Sequence, residues 1–222
     1  MDWSALFLSL KLGGLTIVFL LPVGVIAGRA LAYRDFHGKG LVEALVALPL
    51  VLPPTVFGYY LLVLLGAASP MGMGWQALFG QPLVFSFEGL LLASLVFNLP
   101  FAILPMQRGF EAIPRELRDA AACCGMAPRE IIRRVELPLA WPGILTALVL
   151  SFAHTLGEFG VVLMVGGNIP GETKTVAIAI YDRVQAFDTA SAGRMSALLL
   201  FLSVVTIAIT FALSRRVSRK LS

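Results

Sequence analysis

The chain has 222 residues, of which 58% are hydrophobic and 14% charged, and its mean hydropathy is +0.88. A water-facing domain carries about 25% charged residues, so a soluble globule is excluded, and the apolar runs leave no room for a separate catalytic domain. The net charge of +4 comes from basic residues that flank those runs, which speaks for orientation in a bilayer rather than for nucleic-acid binding.

Residues 12–28, 44–87, 89–107, 137–157 and 195–214 contain no Asp, Glu, Lys or Arg. A spanning helix needs roughly 20 mostly apolar residues, so the pattern predicts five spans at about 10–32, 42–66, 86–107, 139–165 and 195–214 of one membrane domain, 1–222. Asp2 and Trp3 stand where a signal peptide carries basic residues, and no small-residue cleavage site precedes Arg29; the first run reads as a retained helix. The second span holds Pro49, Pro53 and Pro54, followed by Gly58, Tyr59 and Tyr60. Each proline removes a donor and kinks or opens the helix, and freed carbonyls at membrane depth must face protein or a cavity. A pathway hinge and a kinked packing helix both fit. Asn98 in the third span is expected to bond to another helix. No internal repeat supports an inverted-repeat carrier.

Lys and Arg fall unevenly between the two sides. Arg29, Arg34, Lys39, the six arginines of 108–138, and Arg215, Arg216, Arg219 and Lys220 make 13 on one side, against Lys11, Lys174, Arg183 and Arg194 on the other. The richer side is cytoplasmic, so the N-terminus is expected outside and the C-terminus inside.

The connection 108–138 is too polar to span. Within it, 111–138 reads EAIPRELRDAAACCGMAPREIIRRVELP. Pro114 suits a first helical turn, and Glu116 and Asp119 suit the N-terminal half. Ile113, Leu117, Ala121 and Cys124 make a narrow apolar stripe, and Gly125 is placed to end the helix. Pro128 opens a second short helix with Ile131, Ile132 and Val135 apolar, and Pro138 is expected to stop it. The adjacent Cys123 and Cys124 bridge only with strain and lack a second pair for zinc; they read as small residues in a reducing compartment.

This segment resembles the cytoplasmic coupling loop of ABC importer membrane subunits, which carry E-A-A, three residues, Gly, nine residues and I-x-L-P. Here Asp119-Ala120-Ala121 is followed at the same spacings by Gly125 and by Val135-Glu136-Leu137-Pro138, with Asp for Glu and Val for Ile as conservative departures. The resemblance implies a rigid knob that passes the motion of an ATPase to the spans. Ala120 and Ala121 would sit deep in a groove, Gly125 would permit the turn, and Pro138 would join the knob stiffly to the fourth span. A surface-lying amphipathic helix does not require this spacing. Gly38-Lys39-Gly40 fails the P-loop pattern, so ATP and magnesium are expected on a separate ATPase subunit, with no cofactor in this chain.

Leu48 to Pro54 with Gly58-Tyr59, and Leu156-Gly157-Glu158-Phe159-Gly160 through Asn168 to Thr175, resemble the molybdate importer permeases of bacteria. Sulfate, thiosulfate and tungstate permeases share parts of these runs. The resemblance implies an all-α, type I ABC importer permease of the inner membrane, a transport subunit and not an enzyme. Its implied partners are a second copy of itself, a cytoplasmic ABC ATPase dimer, a periplasmic oxyanion-binding protein and the lipid bilayer. Pro53, Pro54, His154, Glu158 and Asn168 are the candidates for the path or its gate.

His154 and Glu158 share one face of a span, where ionisable groups are functional candidates. Glu158 would repel an anion, so it either pairs with a basic residue or caps helix-end donors; His154 is either packed and neutral or path-lining. Gly166, Gly167, Asn168 and Thr173 offer donors, and Lys174 and Arg183 add positive charge, which fits an oxyanion mouth or a turn that docks the binding protein. Tyr181, Val184 and Phe187 predict a short external helix. An autonomous channel or carrier would transport without an ATPase. A membrane enzyme would need more clustered groups than His154 with Glu158, since His37 stands alone.

Overall fold

The computed structural model describes residues 2–221, with side chains described up to residue 208. In chain order the helices are α1 (Trp3–Tyr33), α2 (Lys39–Val51), α3 (Pro54–Leu65), α4 (Pro70–Phe79), α5 (Phe87–Glu111), α6 (Arg115–Cys123), α7 (Pro128–Ile131), α8 (Leu137–Gly157), α9 (Gly160–Gly166), α10 (Val176–Gln185) and α11 (Thr189–Leu221). A π-turn, Ile132–Glu136, joins α7 to α8. The side chains of Arg215, Arg216, Arg219 and Lys220, which enter the charge asymmetry, lie outside the described residues.

Helices α1, α5 and α8 pack on one another and form the centre. The middle one, α5, buries residues around its whole circumference, including Leu90, Phe97, Ile103, Met106 and Phe110, as a helix apolar all round must. Small residues let these helices approach: a Cβ built on Gly143 of α8 would lie 2.7 Å from the Pro105 carbonyl oxygen and 2.8 Å from the Gly109 Cα of α5. Helices α1 and α5 are capped at their starts. Asp2 Oδ1 accepts from the Ala5 N–H at 3.1 Å, and Ser86 Oγ from the Gly89 N–H at 3.1 Å, each satisfying a donor that the first turn leaves open. Phe7, Ile26, Leu200 and Phe201 point outward and are exposed. In water such a surface would be a liability; in lipid it is the solvated face.

Helices α1, α5, α7–α8 and α11 are each long and apolar enough to cross a membrane, and α2 with α3 passes as a bent pair. The run expected as one span over 42–66 is two helices turned by 113°. Leu52 and Pro53 are extended there, with ψ of 138° and 134°, and Pro54 opens α3 where its missing N–H costs nothing. Glu43 of α2 meets Gln107 near the far end of α5, while Leu61 and Leu65 of α3 pack with Ala93 and Phe97 near its start. The pair therefore crosses the bundle as a broken span.

The run expected over 139–165 is interrupted as well. Helix α8 ends at Gly157, Glu158 is extended (ψ 130°), and α9 begins at Gly160. The two interruptions meet, because a Cβ on Gly160 would lie 2.8 Å from Pro54 Cβ. Pro138 does not stop the second short helix of the loop. It sits in the first turn of α8, and the chain stays helical from Pro128 through the π-turn to Gly157; proline is tolerated there because the wider π-turn already breaks the regular i to i−4 ladder. The connections 66–86 and 167–188 carry the short helices α4 and α10; Tyr181 and Val184 lie on α10 as expected, whereas Phe187 falls past its end with φ +58°.

Candidate functional site

The knob between α5 and α8 is built by turn chemistry. Pro114 is the N-cap of α6 rather than its first turn. At the other end Gly125 has φ +80°; its N–H donates to the Ala122 carbonyl at 3.0 Å, and the Met126 N–H donates to the Ala121 carbonyl at 3.2 Å. This pair of bonds is a Schellman ending, which favours glycine at the left-handed position. The reversed chain enters α7 at Pro128, with Glu130 Oε2 accepting from the Ala127 N–H at 3.3 Å.

Only part of the expected apolar stripe faces inward. Ile113 and Ala121 are buried, whereas Leu117 and Cys124 are exposed. Ala120, Ala122, Cys123, Gly125 and Ala127 are exposed too. The knob thus presents a low-relief surface of small residues. Asp119 lies beside it, 64% exposed at its side chain and 3.5 Å from Arg115. Val135 and Leu137 are half-buried under the knob, where the π-turn enters α8.

The residue that ties the knob to the bundle is one the motif spacing passes over. Glu136, in the variable position of V-x-L-P, is 1% exposed. Its carboxylate accepts from Arg29 of α1 through both oxygens, at 2.5 and 3.1 Å, and lies 3.5 Å from Arg118 of α6. The Arg118 guanidinium carbon sits 3.7 Å from the centroid of the Tyr33 ring, and Tyr33 Oη donates to the Phe110 carbonyl at 3.0 Å. A carboxylate in the apolar run that begins at Val135 was the available signal, since a charge is buried only with partners.

Inside the bundle a polar chain links α1, α5 and α8. Thr16 Oγ1 and Ser94 Oγ are 2.9 Å apart, and Asn98 Nδ2 donates to the Ser94 carbonyl at 2.8 Å. That leaves Asn98 Oδ1 as acceptor for His154 Nδ1 at 3.0 Å, so the assigned tautomer carries its proton on Nδ1. The imidazole stacks on Phe101 with centroids 4.0 Å apart, and its Nε2 is 3.9 Å from Glu158 Oε2. Glu158 Oε1 accepts from the Val161 N–H at 2.9 Å. Of the two roles open to Glu158 in sequence, the structure shows the cap on helix-end donors. His154 has an aromatic neighbour on its face, and its side chain is 27% exposed. Pro53 and Pro54 join this neighbourhood through the contact of Pro54 with Gly160.

Asn168 is engaged elsewhere. Its Nδ2 donates to both carboxylate oxygens of Asp182 on α10, each at 3.0 Å, and Lys174 Nζ reaches the same carboxylate at 2.6 Å. Burial works to raise the Asp182 carboxyl, but the hydrogen bonds from Lys174 and Asn168 outweigh it and hold the group below its ordinary value. The amides of Glu172, Thr173 and Lys174 converge on the Ile169 carbonyl, and Thr173 Oγ1 accepts from the Ile169 N–H at 3.1 Å. These donors and the Lys174 charge are spent inside the loop. The turn is a closed, self-bonded element rather than an open cradle. Among the described residues no group of three or more His, Cys, Asp or Glu could hold a metal ion.

An apolar helical bundle of membrane length, bearing on one end a stiff two-helix knob with a small-residue surface, defines the membrane permease subunit of an ABC importer. Residues 21–222 match the family described as "Binding-protein-dependent transport system inner membrane component", and the chain belongs to that family. It is 48% identical to the molybdenum transport system permease protein ModB of Azotobacter vinelandii over 86% of this chain and 84% of the relative. It is 36% identical to ModB of Escherichia coli K12 over 96% and 94%. A solved bacterial ABC transporter involved in the import of the acidic polysaccharide alginate shares the fold, with a TM-score of 0.77, 17% identity, and coverage of 96% of this chain and 78% of that one. The chain is therefore a multi-pass inner-membrane transport subunit, and ATP is hydrolysed by a separate subunit.

Proposed function

We propose that this chain translocates molybdate. The observation that carries the reading is the 48% identity, over most of both chains, to a molybdenum transport permease, and the L-P-P and N-I-P-G-E-T runs support it. Two copies enclose the path at a two-fold axis, a reading supported by the likeness to importer permease subunits. The Lys and Arg asymmetry supports an N-terminus in the periplasm and a C-terminus in the cytoplasm.

The mechanism follows from the parts. A cytoplasmic ATPase dimer, which carries ATP and magnesium, grips the low-relief surface around Asp119, Ala120 and Gly125 on each copy. ATP binding draws the two ATPases together and turns the spans outward. A periplasmic oxyanion-binding protein docks on the outer loops, where the Asn168–Thr175 turn is held rigid, and releases its anion. Hydrolysis restores the inward state. Each ligand shifts the equilibrium only by its differential affinity for the two states. The anion undergoes no covalent change. The test is ATP-dependent molybdate uptake by vesicles holding this chain with its ATPase and binding protein, with sulfate and tungstate as competitors. Uptake that sulfate fails to compete supports the proposal. Uptake blocked equally by sulfate overturns the substrate, and uptake without ATP overturns the coupling.

A further inference from the structure

On α6 the side chains of Arg115 and Asp119 are 85% and 64% exposed, as on a helix standing in solvent, whereas Arg118 is only 29% exposed. Arg118 leaves the ATPase-facing surface and turns back into the bundle. There it meets the two groups already described, the Glu136 carboxylate and the face of Tyr33. Glu136 belongs to the π-turn below the knob and is gripped by Arg29 of α1. Tyr33 ends α1 and is pinned to α5 through the Phe110 carbonyl. The backbone of α6 itself packs on α7 and the π-turn, and the Arg118 side chain reaches Tyr33 of α1.

We propose that Arg118 is the positioning residue that carries the stroke of the knob to the N-terminal helix, with the buried Glu136 as the shared anchor. The proposal rests on the coupling-loop reading. The geometry suits the task. An arginine can hold a carboxylate and stack on an aromatic face at once, so displacement of α6 pulls on Tyr33 and, through Glu136, on Arg29. The extra residue per turn of the π-segment brings Glu136 round to the α1 side, and such turns recur at functional sites. Without Arg118 the knob would still be gripped, but its motion would enter the bundle through its chain connections to α5 and α8 rather than through Tyr33 of α1.

The test uses the complete importer in proteoliposomes and reads uptake per ATP hydrolysed. Arg118→Gln leaves the Arg29–Glu136 pair intact, so assembly with the ATPase should persist, as checked by co-purification. Hydrolysis should continue while uptake per ATP falls by about tenfold, the factor equivalent to about 1.4 kcal/mol of lost coupling. Arg118→Lys keeps the charge without the planar stack and should lie between. Tyr33→Leu, which spares every charge, should shift the same ratio in the same direction if Arg118→Gln cannot be recovered as a complex. An unchanged ratio in Arg118→Gln, or in Tyr33→Leu where that is the readable variant, overturns the proposal. Ala120→Arg, which crowds the gripped surface, separates the two layers. Loss of the ATPase from that variant upholds the coupling loop whatever Arg118 does, and retention of the ATPase with normal uptake overturns the loop reading itself.

Discussion

Gly125 offers a clean separation of backbone conformation from side-chain bulk. It holds φ +80°, and a Cβ built on it meets nothing within 4 Å. Substitution by alanine therefore carries no collision, and its cost is the left-handed conformation alone, about 1–2 kcal/mol. Asparagine tolerates that region and should cost less. Proline is confined to φ near −65° and has no N–H, so it also forfeits the 3.0 Å bond to the Ala122 carbonyl, and about 3 kcal/mol or more is expected. Where the seated knob is what the ATPase binds, these costs lower its population by roughly 5- to 30-fold for alanine and further for proline. Titration of the ATPase onto nanodisc-embedded Gly125→Asn, Gly125→Ala and Gly125→Pro should give dissociation constants rising in that order, with helix content unchanged. Equal weakening by alanine and proline would refute the reasoning, because it would mean that bulk rather than dihedral angle decides.

Three further outcomes are expected. Gly143→Ala should lower the thermal stability of the detergent-solubilised protein sharply, since its Cβ meets the backbone of Pro105 and Gly109, whereas Gly14→Ala, with nothing within 4 Å, should not; equal melting temperatures would deny the close α5–α8 crossing. Glu158→Gln keeps an oxygen for the Val161 N–H and should retain uptake, while Glu158→Ala loses the cap at a cost of about 1 kcal/mol and should melt earlier; a greater loss of stability in the glutamine variant would point to the charge instead. The lowered Asp182 carboxyl stabilises the Asn168–Thr175 turn when ionised, so that contribution is present above the ordinary Asp value of about 3.9 and fades as pH falls through the lowered value. Amide protection of residues 167–175, corrected for intrinsic exchange, should follow this course, and Lys174→Ala should move its loss to higher pH.

Much of the architecture is legible in sequence because lipid permits few solutions: long uncharged runs must be helices. The knob was legible through spacing, with Gly125 standing where a left-handed residue ends α6. Interruptions were harder. Pro53 and Pro54 announce a break, but its 113° angle follows from packing of α3 on α9, which no local pattern encodes. At Glu158 no proline marks the end of α8, and the carboxylate's role emerges only when α9 presents its amides. Glu136 shows the same limit. Its neighbours in sequence are apolar, and its partners Arg29 and Arg118 lie 107 and 18 positions away. Asn168 and Lys174 looked like free donors because Asp182, which consumes them, belongs to the following helix.

The meeting of the two helix interruptions has a mechanical consequence. Helices α3 and α9 each begin just past a break, the breaks touch at Pro54 and Gly160, and beyond them Leu61, Leu65, Val161 and Val165 share one apolar cluster with Leu83 and Val84. Neither segment is held by a continuous hydrogen-bond ladder to the helix before it. A rotation about the line through the two joints would carry both as a single leaf, breaking no backbone bond within either helix but sliding Leu61 and Leu65 past Ala93 and Phe97 of α5.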